Sequence, residues 1–136
     1  MRYIGLDLGT KTLGISLSNG MIATNYQTLR HNEEYDYLVN EVQKIIEEKK
    51  IDKIILGFPK NMNNTIGERA EITLKFKEKL EKICQREVIL EDERLTSVVA
   101  NKVLINADTR RKKRKEKVDG VASVIILQSY LDRKGI

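Results

Sequence analysis

The sequence predicts an α/β protein built on a mixed five-stranded sheet, three antiparallel strands followed by two parallel ones, with helices on both faces. Three observations carry this. The first 30 residues read as successive strands joined by tight turns. From residue 33 the apolar period changes from two to about 3.6. Two short apolar runs then alternate with helical stretches, as in parallel strands buried on both faces.

The elements follow in order. Tyr3 to Leu8 is an apolar strand that ends at Gly9-Thr10-Lys11. Leu13 to Ser18 is the second strand, closed by Asn19-Gly20, a strong hairpin signal. Met21 to Leu29 is the third, and short turns between consecutive strands make a meander. Residues 33–49 place Tyr35, Leu38, Val39, Val42, Ile45 and Ile46 on one helical face. Lys53-Ile54-Ile55-Leu56, within Asp52 to Gly57, reads as a buried strand, and residues 58–64 form a loop with the chain's single proline, Pro59. A second helix is expected from Thr65, where Thr65 and Glu68 stand three apart as in a capping box, with Ile72, Phe76, Leu80, Ile83 and Cys84 on its apolar face. Val88 to Leu90 is the fifth strand and ends in Glu91-Asp92-Glu93-Arg94. A third helix is expected over Thr96 to Ile105. A last one, from about Val118 to Asp132, is apolar around most of its circumference and should be well buried.

A chain of 136 residues has room for one compact domain, so residues 1–136 are expected to form one. One cysteine, Cys84, excludes an internal disulfide and a cysteine-rich metal site, and is expected as a small buried residue. The amino terminus runs straight into a strand, without the apolar segment of a signal peptide. No apolar stretch approaches the ~20 residues that span a bilayer. A cytoplasmic location and no membrane partner are therefore expected. The net charge of +5 is local in origin. The block Arg110, Arg111, Lys112, Lys113, Arg114, Lys115, Glu116, Lys117 carries a net +6, and the rest of the chain a net −1. Such a focused positive field suits a polyanion. The block reads as too charged and too short to pack a core.

Three acidic positions stand out. Asp7 lies near the end of the first strand, where an unpaired buried charge would be costly. It is either a metal ligand or a salt-bridged structural residue. Gly5 and Gly9 on either side would let a phosphate backbone come close. Asp92 and Glu93 end the last strand, at the carboxyl end where parallel sheets gather their ligands, or else they form an exposed acidic turn. Neighbouring strand residues face opposite ways, so only one of the two can share the face of Asp7. Asp119 opens the last helix, either as a ligand favoured by the helix dipole or as an ordinary N-cap. Hard carboxylate oxygens suit Mg²⁺ or Mn²⁺ rather than zinc. Two such ions about 4 Å apart can activate water and stabilise the leaving oxygen of a phosphodiester. The lone histidine, His31, sits in a polar turn and is expected to be exposed and uninvolved.

Four segments carry a resemblance that covers nearly the whole chain. They are Ile4-Gly5-Leu6-Asp7-Leu8-Gly9-Thr10-Lys11 with Leu13-Gly14-Ile15; Leu56-Gly57-Phe58-Pro59-Lys60-Asn61-Met62; Asp92-Glu93-Arg94-Leu95-Thr96-Ser97, the most specific; and Lys117-Val118-Asp119-Gly120-Val121-Ala122-Ser123 running into Ile126 to Asp132. In this order and spacing the chain resembles the YqgF family of pre-16S rRNA nucleases, also called Holliday junction resolvases, within the ribonuclease H-like superfamily. The resemblance implies a ribonuclease H-like fold and a hydrolase acting on ester bonds. Its catalytic metal ligands fall on Asp7, Glu93 and Asp119, with Asp92 in reserve. It further implies a cytoplasmic role in ribosome biogenesis, at the 5′ end of the small-subunit rRNA precursor, near ribosomal precursor particles. The chain departs from the pattern at Thr12, usually Arg, at Ser16, usually Ala, at Asn63-Asn64, and at Gly120 and Ser123. None of these removes a carboxylate, but Thr12 puts one phosphate or structural contact in doubt.

Nucleic-acid contacts are expected from Lys11 and Arg94, beside the carboxylates, and from Arg110, Arg111, Lys112, Lys113, Arg114, Lys115 and Lys117. The loop from Lys60 to Thr65 leads into a helix start that could accept a phosphate. Five Tyr, two Phe and no Trp show no stacking platform. Pre-rRNA is the expected partner ahead of a four-way DNA junction, since a resolvase needs a dimer and no dimer interface is legible. A monomer or weak homodimer is expected. Two other functions compete. Ile4 to Thr10 also looks like the first phosphate motif of actin-like ATPases and sugar kinases, which close two such domains over a nucleotide. A non-catalytic nucleic-acid-binding assembly factor on the same fold is the other.

Overall fold

The computed structural model describes residues 1–58, 67–92 and 111–134, with backbone alone at 68, 92 and 111–121. The strands are β1 (Tyr3–Leu8), β2 (Thr12–Ser18), β3 (Ala23–Arg30), β4 (Lys53–Phe58) and β5 (Val88–Asp92). The helices are α1 (Tyr35–Lys49), α2 (Glu68–Cys84) and α3 (Arg111–Lys134). The sheet order is β3-β2-β1-β4-β5. β1 pairs antiparallel with β2 and parallel with β4, β2 antiparallel with β3, and β4 parallel with β5. This is the expected mixed sheet of the ribonuclease H-like fold, with β1 at its centre.

Local chemistry sets the boundaries. Gly20 takes φ 112° in the β2–β3 turn, a conformation that costs glycine little, and the side chains of Ser18 and Asn19 bond the turn amides. Met21 and Ile22 were expected in β3 but lie outside it and are exposed; the strand starts at Ala23, the first buried position. The helix α1 begins at Tyr35 rather than at residue 33, because Glu33 is held at φ 65°.

Two helix starts differ from the sequence reading. Gly67, extended at φ −95°, is the N-cap of α2, and the Glu71 amide makes the first helical bond to its carbonyl. Glu68 is therefore the first helical residue and not the third; Thr65 and the Glu68 side chain, the two halves of the expected capping box, lie outside the described residues. The buried arc of α2 is Ala70, Thr73, Phe76, Leu80 and Cys84. Ile83 falls at the rim of this arc and is 38% exposed, against expectation. The last helix runs over Arg111–Lys134, so the basic residues from Arg111 to Lys117 are helical. Lysine and arginine are good helix formers, and extending a helix anchored elsewhere is far easier than nucleating one. The loop 59–64 and the helix expected over 96–105 lie outside the described residues.

The sheet separates two apolar layers. On one face Ile4, Leu6, Leu13, Ile15, Ile54 and Leu56 pack against Leu38, Val42 and Ile46 of α1 and Phe76 and Leu80 of α2. Cys84 is buried there as expected, and burial pushes its thiol up, partly opposed by the nearby Arg86 charge and reinforced by Glu47. On the other face Tyr3, Ala23 and Ile55 pack against Ile126, Leu127, Tyr130 and Leu131 of α3. Among the described residues no helix is long and apolar enough to cross a membrane.

Candidate active site

Asp7 is the next-to-last residue of the central strand and is half-buried. Strand alternation puts it on the α3 side with Tyr3 and Gly5, opposite Ile4, Leu6 and Leu8. Its partner on β2 is Gly14. On β4 the pair Leu6↔Leu56 is followed by Gly57. Two glycines beside Asp7 leave that stretch of the sheet free of side chains. Among the described residues no cation pairs with Asp7, and no hydrogen bond ties its carboxylate.

The helix α3 is seated above this strand by very close contact. A Cβ built on Gly5 would stand 2.4 Å from Ser16 Oγ, 2.8 Å from Leu127 Cβ and 3.0 Å from the Ser123 carbonyl oxygen. Gly5 therefore admits α3, and not the phosphate backbone that the sequence reading gave it. Ser16 Oγ donates to that Ser123 carbonyl at 2.8 Å in a buried bond. Further along, the Tyr3 and Tyr130 rings lie 6.0 Å apart. The helix thus descends antiparallel to β1. Asp119 precedes Ser123 by four residues, about 6 Å of rise, and Asp7 follows Gly5 by two, about 6.6 Å of strand. The backbone position of Asp119 stands level with Asp7.

That position lies eight residues inside α3, so Asp119 neither opens the helix nor caps it. The helix dipole acts within the first turn and does not reach residue 119. Spacing along the strand and the helix, not the dipole, sets the backbone of residue 119 level with Asp7. Asp92 is the last residue of β5, paired with Phe58. Glu91, one residue earlier, is buried on the α3 side, and both its carboxylate oxygens accept from Arg133 Nη2 at 3.2 and 3.0 Å. Glu93, Arg94 and Arg110 lie outside the described residues, as do the side chains of Asp92, Asp119 and of Arg111 to Lys117. Among the described residues no three His, Cys, Asp or Glu side chains gather into a metal site.

Two residues that sequence reasoning missed hold the chain just after Asp7. Arg69 of α2 donates from Nη2 to the Leu8 carbonyl at 2.9 Å. His31 is buried rather than exposed. Its Nδ1 accepts the Glu33 amide at 3.0 Å, so Nε2 carries the proton donated to the Gly9 carbonyl at 3.0 Å. The His31 amide also bonds the Lys11 carbonyl at 2.9 Å. Successive carbonyls after Asp7 are thereby tied to α2 and to the β3–α1 turn. The polar surroundings of His31 hid this, because nothing local shows that the turn folds back onto Gly9. Lys11 is exposed in the β1–β2 turn.

The sequence model of the RuvX family, described as Holliday junction resolvase, matches residues 1–133. A Bacillus subtilis (strain 168) protein named "Putative pre-16S rRNA nuclease" is 50% identical over 97% of this chain and 98% of its own length. A Geobacillus sp. (strain WCH70) protein of the same name is 49% identical over 98% and 99%. In structure, RuvC of Thermus thermophilus in complex with a Holliday junction substrate matches with a TM-score of 0.60 at 11% identity, covering 99% of this chain and 96% of RuvC. A ROK hexokinase from Thermus thermophilus matches with a TM-score of 0.52 at 20% identity over 74% of this chain but 38% of its own. At these identities the structural likenesses speak for the fold alone.

Proposed function

The chain belongs to the RuvX family, and from that membership and the surroundings of Asp7 we propose that it is a single-domain, metal-dependent nuclease that processes the 5′ end of pre-16S rRNA. The observation that carries the reading is the half-buried Asp7 carboxylate, which has no cation partner among the described residues and a glycine on each neighbouring strand. A structural salt bridge would put a counter-charge there. An open carboxylate with room beside it suits a hard divalent cation, Mg²⁺ or Mn²⁺.

Asp7, Glu93 and Asp119 would hold that cation. Glu93 is preferred to Asp92 because the family pattern falls on it, with Asp92 in reserve. When bound, the metal supplies an activated water and neutralises charge on the leaving oxygen. The protein's share is to fix the carboxylates. Arg69 and His31 hold the chain after Asp7, and the seat of α3 on Gly5 sets the level of Asp119. Arg94 and the block Arg110 to Lys117 would neutralise substrate phosphates without reading sequence.

The rRNA substrate is favoured because the relatives that carry that name match along their full length at about half identity. The same reading sets the protein in the cytoplasm, at ribosomal precursor particles. The family description and the RuvC likeness keep a four-way DNA junction as the second substrate. Wild type and Asp7→Asn are incubated with a labelled pre-16S 5′ region and with a four-way junction, in Mg²⁺, Mn²⁺ or EDTA. Metal-dependent RNA cleavage, reduced about a hundredfold or more in Asp7→Asn, is expected, since a metal site is worth several kcal/mol of barrier. Paired nicks in the junction alone would move the function to recombination. Binding without cleavage, equal in both proteins, would leave an assembly factor on a nuclease fold.

A further inference from the structure

We propose a second nucleic-acid site, separate from the block at 110–117: a groove in which Lys11 and Arg30 hold a backbone phosphate of the bound strand. The groove, of about 420 Å³, lies between the β1–β2 turn and the β3–α1 turn and is lined by Lys11, Arg30, His31, Asn32 and Glu34. It rests on the nuclease reading only for the identity of the polyanion.

Three features point to an anion. The first is charge. Lys44, Lys53, Lys77, Lys79 and Arg133 each pair with a carboxylate. Among the described residues Lys11 and Arg30 pair with none, and Glu34, although it lines the same groove, reaches neither. Two cations and one carboxylate leave the concavity with a net positive charge, which draws in an anion. The second is rigidity. Thr12 and Arg30 are directly paired across β2 and β3. The His31 amide bonds the Lys11 carbonyl, and the His31 ring bonds the Gly9 carbonyl and the Glu33 amide. Both ring nitrogens are thus engaged, so His31 is a positioning residue that locks the two turns bearing the cations. The third is place. Lys11 stands in the turn that begins just past Asp7, so the groove opens at the same end of the sheet as the carboxylate. A strand whose scissile phosphate lies at Asp7 would reach Lys11 and Arg30 with a neighbouring phosphate. Arginine can take two phosphate oxygens at once, and lysine adds a point charge.

Binding of a short fluorescein-labelled single-stranded RNA is measured by anisotropy in EDTA, so that no cleavage intervenes, across a salt series. The proteins are wild type, Lys11→Ala/Arg30→Ala, the charge-keeping Lys11→Arg/Arg30→Lys, and Lys75→Ala/Lys82→Ala, which removes the same charge from the exposed side of α2. Loss of two phosphate contacts from a single strand should weaken binding about tenfold and flatten the salt slope by about 1.4. The charge-keeping pair should bind as wild type does. If Lys11→Ala/Arg30→Ala matches Lys75→Ala/Lys82→Ala in affinity and slope, the groove is not a phosphate site, whatever the cleavage assay shows. If it loses affinity and slope while no RNA is cut in metal, the groove stands and the nuclease reading falls.

Discussion

Beneath α1 and α2 the sheet meets a bed of branched and aromatic side chains, whereas α3, beside its own apolar patch around Tyr3, Ala23 and Ile55, also rests directly on a glycine and a serine. The first face keeps its helices at a distance set by Leu38, Val42, Phe76 and Leu80. The second draws α3 down until the Ser123 carbonyl and Leu127 rest on Gly5, and a hydroxyl from Ser16 bonds the helix backbone. Large side chains give a tolerant layer, because many contacts share any disturbance. Backbone-level contact gives an accurate one, because nothing can yield. The Asp7 carboxylate sits on the accurate face, on the same strand as Gly5.

If this contrast is right, the two faces fail differently. Phe76 is 1% exposed, and its ring meets the edge of Tyr35 at 6.3 Å between centroids. Phe76→Ala should cost about 3–5 kcal/mol in urea denaturation, as large core truncations do. Cleavage per folded molecule should not change. A loss of activity beyond the unfolded fraction would show that the α1/α2 face also shapes the site. Gly5→Ala should cost less, about 1–3 kcal/mol, the usual range for overpacking. It should nevertheless lower cleavage of the folded protein tenfold or more, since a displacement of about 1 Å can cost about 10²-fold in rate. A destabilised but fully active Gly5→Ala would separate the seat of α3 from catalysis.

The same contrast explains what the sequence made legible. Periodicity reports apolar layers, so the strand order, α1 and the buried positions Leu38, Phe76 and Ile126 could be read directly. It says little about a contact made through absent side chains. Gly5 looked like room for substrate because a glycine does not say what fills its space. Asp119 looked like a helix start because the charged run before it offered no apolar period, yet α3 begins at Arg111. His31 looked exposed because its partners are a carbonyl and an amide, which every residue has. Asp7 was legible for the opposite reason: a carboxylate among Ile4, Leu6 and Leu8 breaks the pattern around it. The pairing of β1 with β2 and β4 then supplied what no single segment could, a glycine on either side of it.

Ser16→Ala removes the buried bond to the Ser123 carbonyl, but that carbonyl is placed to keep its bond within α3. The net cost should therefore fall in the ordinary range for one hydrogen bond, about 0.5–1.5 kcal/mol. The hydroxyl is also the atom nearest a Cβ on Gly5, at 2.4 Å, ahead of Leu127 Cβ at 2.8 Å. Removing it should relieve part of the strain of Gly5→Ala, so the double variant should be more stable than the two single costs add up to, by about 1 kcal/mol, within the span seen for contacting residues. Urea denaturation of the four proteins gives this coupling directly. A coupling near zero would mean that Leu127 and the Ser123 carbonyl alone set the height of α3. Activity should then recover only when residue 127 is trimmed as well. A full recovery of both stability and cleavage in the Gly5→Ala/Ser16→Ala protein would instead make the hydroxyl the element that fixes the distance between α3 and the strand that bears Asp7.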